Sequence, residues 1–216
     1  MIKTIKASKS EKILFIFLIC LSIFAFTSFF LLKNKCLFVE KNNLTNLNFN
    51  EPNNIVIMNV ECGNVIIELY PNISPRTVER FKILIEKKMY DGSAFYKVLE
   101  NTFVQAGDIE YGNINNLDYS KIGSGKSGLG LLKSELNEDF KFTKGSVGFA
   151  RTTEFDTEDS EFFITLKEIP IYQGEYTPVG RVVYGLDILT KIKTGNKAIY
   201  VLRPDYIKTF RLLNSN

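Results

Sequence analysis

The sequence predicts a mainly β protein: a closed antiparallel β-barrel capped by two helices and preceded by one transmembrane helix. Three patterns support this class. Residues 13–32, ILFIFLICLSIFAFTSFFLL, carry no charge and are long enough to cross a bilayer as a helix. Beyond them, short β-rich runs recur between turn signals, the pattern of an antiparallel barrel. Among these runs stand two segments with apolar residues at helical spacing.

Lys3, Lys6, Lys9 and Lys12 precede the apolar run, and Lys33 and Lys35 follow it. The cytoplasmic preference for lysine then puts the N-terminus inside and the remainder outside the cytosol, in the secretory pathway or at the cell surface. A cleaved signal peptide is the competing reading. Its apolar core usually spans about 7–15 residues and ends at a small-residue site, for which Thr27-Ser28-Phe29-Phe30 is a poor substitute, so an uncleaved signal-anchor is preferred. A buried soluble helix fits least, because no polar face interrupts the run. Two sequons, at Asn43 and Asn72, would report this topology if glycosylated. The expected organisation is a basic tail at 1–12, the anchor at 13–32, a polar tether at 33–54 rich in Asn and Lys, and a folded domain at 55–213.

Within that domain, residues 55–60 and 64–70 read as strands around a Glu61-Cys62-Gly63 turn, a hairpin. Ser74-Pro75 starts a helix, the serine as cap and the proline at the first position, with Val78, Phe81, Ile85 and Met89 on one face and Gly92 ending it. Residues 95–99 and 103–106 read as strands, 109–139 as a long irregular stretch, and 146–150 and 162–165 as strands flanking the acidic loop RTTEFDTEDS. A strand at 179–183, a helix at 186–192 and a closing strand at 207–213 complete the domain.

Composition excludes several chemistries. The 216 residues contain no histidine, which removes Ser-His-Asp and Cys-His nucleophiles and His-ligated zinc. Cys20, Cys36 and Cys62 are too widely spaced for a zinc knuckle or a redox pair; Cys36 and Cys62 could pair or stay free. The net charge of +3 is dispersed among acidic residues and gives no support for nucleic-acid binding.

Five segments in order, VIIELYPNISPRTVERF, GSAFYKVLENTFVQAGD, GSVGFAR, SEFFIT and YTPVGRVVYGLDIL, resemble the cyclophilin family of peptidyl-prolyl cis-trans isomerases over roughly three quarters of the chain. The anchor and the FVQAGD variant together resemble membrane-anchored members of the secretory pathway. The resemblance implies action on X-Pro bonds of secretory-pathway polypeptides with neither metal nor cofactor.

It also implies the site. Lys97 stands for the family's central arginine and keeps its charge without the planar fork, and Gln105 matches a glutamine that contacts substrate backbone; these two are the expected catalytic residues. Phe103 and Phe163 match apolar walls of the proline pocket, while Thr102 replaces a pocket Phe. Ala150 matches a family Ala, Arg151 replaces an Asn and Glu161 a Gln, so Arg151 and Glu161, or Glu161 and Lys97, could form ion pairs. Tyr172 and Tyr176 fall in the segment 171–176, where relatives carry Trp and His; without that Trp, cyclosporin binding is expected to be weak or absent. Isomerase turnover is therefore expected to be reduced. The alternative is a non-catalytic, membrane-tethered binding module.

Two further patterns carry less weight. Gly123-Ser124-Gly125-Lys126-Ser127 lacks the upstream glycine of a phosphate loop, since Ser120 stands there, and Glu154, Asp156, Glu158 and Asp159 lack calcium-loop spacing. Both are read as loop features.

Overall fold

The computed structural model describes residues 8–33, 35–37, 39, 48–195 and 200–214. The chain divides into two compact units, Met1–Phe38 and Val39–Asn216. Lys3, Lys6 and the Asn43 sequon lie outside the described residues.

The first unit contains helix α1 (Lys9–Lys33). Its stretch Lys9–Leu31 is long and apolar enough to cross a membrane, and its large apolar side chains from Ile13 to Leu31 are exposed. The hydroxyls of Ser22 and Thr27 donate to the carbonyls of Ile19 (2.8 Å) and Phe24 (3.0 Å), so neither presents an unpaired polar group along the helix. Cys20 on this helix is a free thiol, whereas Cys36 and Cys62 are disulfide-bonded.

The second unit is built on one eight-stranded antiparallel sheet. Its strands are β1 (Ile55–Val60), β2 (Gly63–Leu69), β3 (Lys97–Leu99), β4 (Phe103–Ala106), β7 (Ser146–Phe149), β8 (Phe162–Thr165), β9 (Pro178–Tyr184) and β10 (Thr209–Leu212). The order is β10-β1-β2-β9-β7-β8-β4-β3, and a two-stranded ladder of β5 (Gly112–Asn113) and β6 (Asn116–Leu117) lies apart. The sheet curls so that its end strands approach residues 200–207. There, isolated bridges Ala94↔Tyr206 and Lys97↔Tyr200 replace a continuous ladder.

Helix α2 (Pro75–Glu86) packs its buried Val78, Phe81, Leu84 and Ile85 into the sheet's concave face. Phe81 lies 5.2–5.7 Å from the rings of Tyr90, Phe149, Phe162 and Phe210, the edge-to-face spacing that aromatic quadrupoles favour. The helix stops before the expected Gly92. Lys88 adopts a positive φ of 57° and the Met89 amide closes on the Leu84 carbonyl at 2.9 Å, a left-handed terminus that needs no glycine. Helix α3 (Leu186–Leu189) is likewise shorter than its apolar spacing suggested.

Ser74 does not cap α2, contrary to expectation. Its hydroxyl donates to the Pro178 carbonyl instead. The free amides of the first turn go to Glu135, whose carboxylate accepts from the Thr77 amide and hydroxyl, both at 2.8 Å, and from Arg76 Nε at 3.1 Å. Burial pulls the Glu135 carboxyl upward, but these hydrogen bonds outweigh it and leave its pKa below the ordinary value. A loop carboxylate thus does the work of a local cap. Glu135→Ala should cost about 1 kcal/mol of unfolding free energy at neutral pH, as cap removal does. A depressed carboxyl stabilises above its unfolded pKa, so the difference from the parent should close as pH falls through the folded value. Urea unfolding of both proteins across pH 3–7 reads this; a pH-independent difference would assign the loss to packing.

Candidate active site

β4 lies between β3 and β8, and its register builds the site. Lys97 pairs with Gln105, and Gln105 with Phe163. Strand alternation puts Val98, Val104, Ala106, Phe162 and Ile164 into the main core. The same alternation turns Lys97, Phe103, Gln105 and Phe163 to the opposite face.

On that face Phe103, Phe142 and Phe163 form a separate aromatic group, against which Ala150, Tyr172 and Tyr176 pack. Ring centroids are 5.3 Å apart for Phe163 and Tyr172, 5.2 Å for Phe163 and Tyr176, and 4.6 Å for Tyr172 and Tyr176. Gly148 permits this packing, because a Cβ there would come within 2.5 Å of the Phe163 ring. The result is an aromatic cleft wall, buried Phe103, Phe142 and Phe163 beneath the partly exposed Tyr172 and Tyr176, with the Lys97 ammonium 5.8 Å from the centre of the Phe103 ring.

Beside the cleft opens a cavity of about 120 Å³, lined by Tyr96, Lys97, Gln105, Lys126, Ala150, Arg151, Glu161 and Tyr200 among others. Its floor is a hydrogen-bonded triad. Gln105 Nε2 donates to the Tyr96 hydroxyl and to Glu161 Oε2, both at 2.8 Å, and the Tyr96 hydroxyl donates to the same Glu161 oxygen. Burial raises the Glu161 pKa against the pull of these two donors. Burial and the neighbouring Glu161 charge likewise raise Tyr96, so it stays a phenol. Tyr200 stacks on Tyr96 with centroids 6.0 Å apart.

The ion pairs differ from those anticipated. Arg151 meets Glu175, not Glu161, with Nη2 3.1 Å from Oε2, and its guanidinium lies 4.1 Å from the Phe155 ring centre and 5.0 Å from that of Tyr176. Stacking and the backbone carbonyls of Glu175, Thr152 and Thr153 fix it away from Glu161. Among the described residues Lys97 has no carboxylate at ion-pair distance. Thr102 sits in the turn before β4, its hydroxyl on the Glu100 carbonyl at 3.1 Å, and is not among the residues lining the cavity.

The glycine-rich loop at 123–130 walls the cavity and cannot serve as a phosphate cradle. The Gly123 and Gly125 amides already donate to Asp108 at 2.6 and 3.2 Å. Asp159, from the acidic run, is bound to Arg80 at 3.2 Å and to the Ser127 amide at 2.8 Å. Among the described residues no cluster of three or more metal-ligating side chains occurs.

The fold therefore gathers Lys97, Gln105, Ala150, Arg151 and Glu161 around the cavity and Phe103, Phe163, Tyr172 and Tyr176 in the aromatic group, with Thr102 outside the cavity lining. Tyr96, Tyr200 and Phe142 are additions to the expected set. Tyr96 stood next to Lys97 in the FYKV motif, the one available signal. Tyr200 lies about one hundred positions further along and gave none.

Comparison with known proteins bears on the family and the fold. A family model described as cyclophilin type peptidyl-prolyl cis-trans isomerase/CLD matches residues 55–211. A probable peptidyl-prolyl cis-trans isomerase of Brucella suis is 36% identical over 149 residues, covering 68% of this chain and 76% of that protein. A peptidyl-prolyl cis-trans isomerase of Acinetobacter baylyi is 28% identical over 145 residues, covering 65% and 72%. Among solved structures, a Cryptosporidium parvum cyclophilin determined in the presence of the dipeptide Ala-Pro superposes with a TM-score of 0.64 at 24% identity, covering 75% of this chain and 99% of that one. A cyclophilin from Hirschia baltica gives 0.63 at 21% identity, covering 74% of each chain. The chain belongs to the cyclophilin-type peptidyl-prolyl cis-trans isomerase family.

Proposed function

We propose that the protein is a peptidyl-prolyl isomerase of reduced efficiency that acts on X-Pro bonds of extended polypeptide segments. The observation that carries this reading is the pairing of Lys97 with Gln105 at the border of the aromatic cleft. Rotation about an X-Pro bond is slow because the amide loses resonance as it twists. Twisting localises the lone pair on the prolyl nitrogen, so a donor placed beside that atom stabilises the twisted amide more than the planar one. The cleft of Phe103, Phe163, Tyr172 and Tyr176 suits the proline ring, Lys97 supplies the donor, and Gln105 Oε1 accepts from a peptide amide. Ala150 and Arg151 border the bound segment. The efficiency is set below that of an arginine-bearing site, since an ammonium addresses fewer acceptors in a fixed plane than a guanidinium.

The tether at 33–54 and the anchor at 13–32 would hold this domain, 55–213, at a membrane. The lysines flanking α1 and the disulfide-bonded Cys36 and Cys62 favour the non-cytoplasmic side. The substrates are then proline-containing segments of secretory-pathway polypeptides, and no nucleic acid or cofactor takes part. Ile171, in place of the Trp of relatives, is 78% exposed and supports weak or absent cyclosporin binding. The second reading, a binding module without turnover, draws on Gln105, whose amide hydrogens are both engaged by Tyr96 and Glu161.

Cis/trans exchange of an X-Pro peptide separates the two. The full-length protein in detergent should catalyse exchange, Lys97→Ala should lower kcat/KM by about tenfold or more, the scale of losing one transition-state donor, and Lys97→Arg should raise it. A parent without catalysis beside an active Lys97→Arg variant would establish the binding module. A second expectation concerns Glu161. Its raised pKa means the folded state keeps a proton that the unfolded chain releases, so its contribution to stability is full below the unfolded carboxyl pKa near ~4.3 and is lost as pH rises through the folded value. Glu161→Gln, which can keep the bonds to Tyr96 and Gln105, should therefore match the parent at acid pH and exceed it in stability at neutral pH. Equal pH dependence of the two unfolding curves would show that Glu161 is not desolvated.

A further inference from the structure

The cavity beside the cleft holds more positive charge than its carboxylates neutralise. Three cations line it, Lys97, Lys126 and Arg151, with two carboxylates, Asp159 and Glu161. Arg151 is matched by Glu175 and Asp159 by Arg80. Glu161 alone remains against two lysines, and it accepts hydrogen bonds from Tyr96 and Gln105 on the cavity floor. Among the described residues neither Lys97 nor Lys126 has a carboxylate within ion-pair distance.

Lys126 is exposed, yet the backbone that carries it is fixed. Its own amide donates to Glu110 at 3.1 Å, the preceding Gly125 amide to Asp108 at 3.2 Å, and the following Ser127 amide to Asp159 at 2.8 Å. Gly125 is required at that place, because a Cβ would come within 2.0 Å of Asp108 Oδ1. The ammonium is thus presented at the rim of a concave surface, where field lines concentrate. Ala150 belongs both to the aromatic cleft and to the cavity lining. A peptide with its proline in the cleft and its amide at Lys97 and Gln105 therefore runs past the cavity.

We propose that this cavity is a specificity pocket for an acidic side chain, Asp or Glu, borne by the substrate within a few residues of its X-Pro bond, with Lys126 as the residue that selects it. This rests on the isomerase reading above. Charge complementarity of this kind acts on partner choice and encounter more than on raw affinity.

The test uses the full-length protein in detergent and peptides carrying Glu, Ala or Lys at each of three positions on either side of one X-Pro bond. Both cis/trans exchange and peptide affinity are measured. At one position or more, kcat/KM should favour Glu over Lys by roughly three- to tenfold at low salt, the scale of one or two partly exposed charge contacts, and the preference should fade at high salt. Lys126→Glu should invert the preference and Lys126→Arg preserve it, each ratio being read within one variant. Equal ratios for all three peptides, or a preference unchanged in Lys126→Glu, would overturn the proposal. Absence of exchange for every peptide would sink the isomerase reading instead, and the Glu-to-Lys ratio in affinity would then decide the pocket alone.

Discussion

The register of β4 against its two neighbours governs everything else in the site. A strand of four buried residues, Phe103–Ala106, gives Val104 and Ala106 to the core and Phe103 and Gln105 to the groove. Because strand side chains alternate with period two, a slip of one residue would turn Gln105 into the main core and Val104 to the groove. The apolar core formed around Phe81 thereby fixes not only stability but the direction in which Lys97, Gln105 and Phe163 point.

Around that frame the polar groups of the groove are partnered. Glu161 and Tyr96 make a part-buried acid–phenol pair that also holds Gln105, and Arg151 is clamped between two rings and Glu175. Buried polar groups demand partners, and the side chains here supply them in sets: an acid with a phenol, a cation with a carboxylate and two aromatic faces. Among the described residues Lys97, beside the Phe103 ring, has no carboxylate at ion-pair distance.

Much of this was legible in the sequence, for local reasons. The segments 103–106 and 162–165 are short apolar runs bounded by polar and glycine-containing stretches, and both are strands with those limits. The uncharged run 13–32 lies within one helix. The motifs around Lys97, Gln105 and Phe163 sat on consecutive sheet neighbours, so their convergence followed from the fold class. What escaped depends on contacts far apart in the chain. Ser74 looked like a cap, but the cap comes from Glu135, and the helix end lies at a left-handed lysine where no glycine marks it. Arg151 had several carboxylates to choose from, and only the path of the chain near Glu175 and Phe155 decides among them. Tyr200 reaches the site through a bridge to Lys97 that no periodicity announces.

The central claim is that the aromatic cleft and Lys97 together twist a prolyl amide. Exchange spectroscopy of an X-Pro peptide in the presence of substoichiometric full-length protein tests it most directly. The account predicts cross-peaks between cis and trans resonances on a timescale of a second or less, where the free peptide needs tens of seconds. Resonances that shift or broaden on binding, with cis and trans populations still exchanging at the uncatalysed rate, would contradict it.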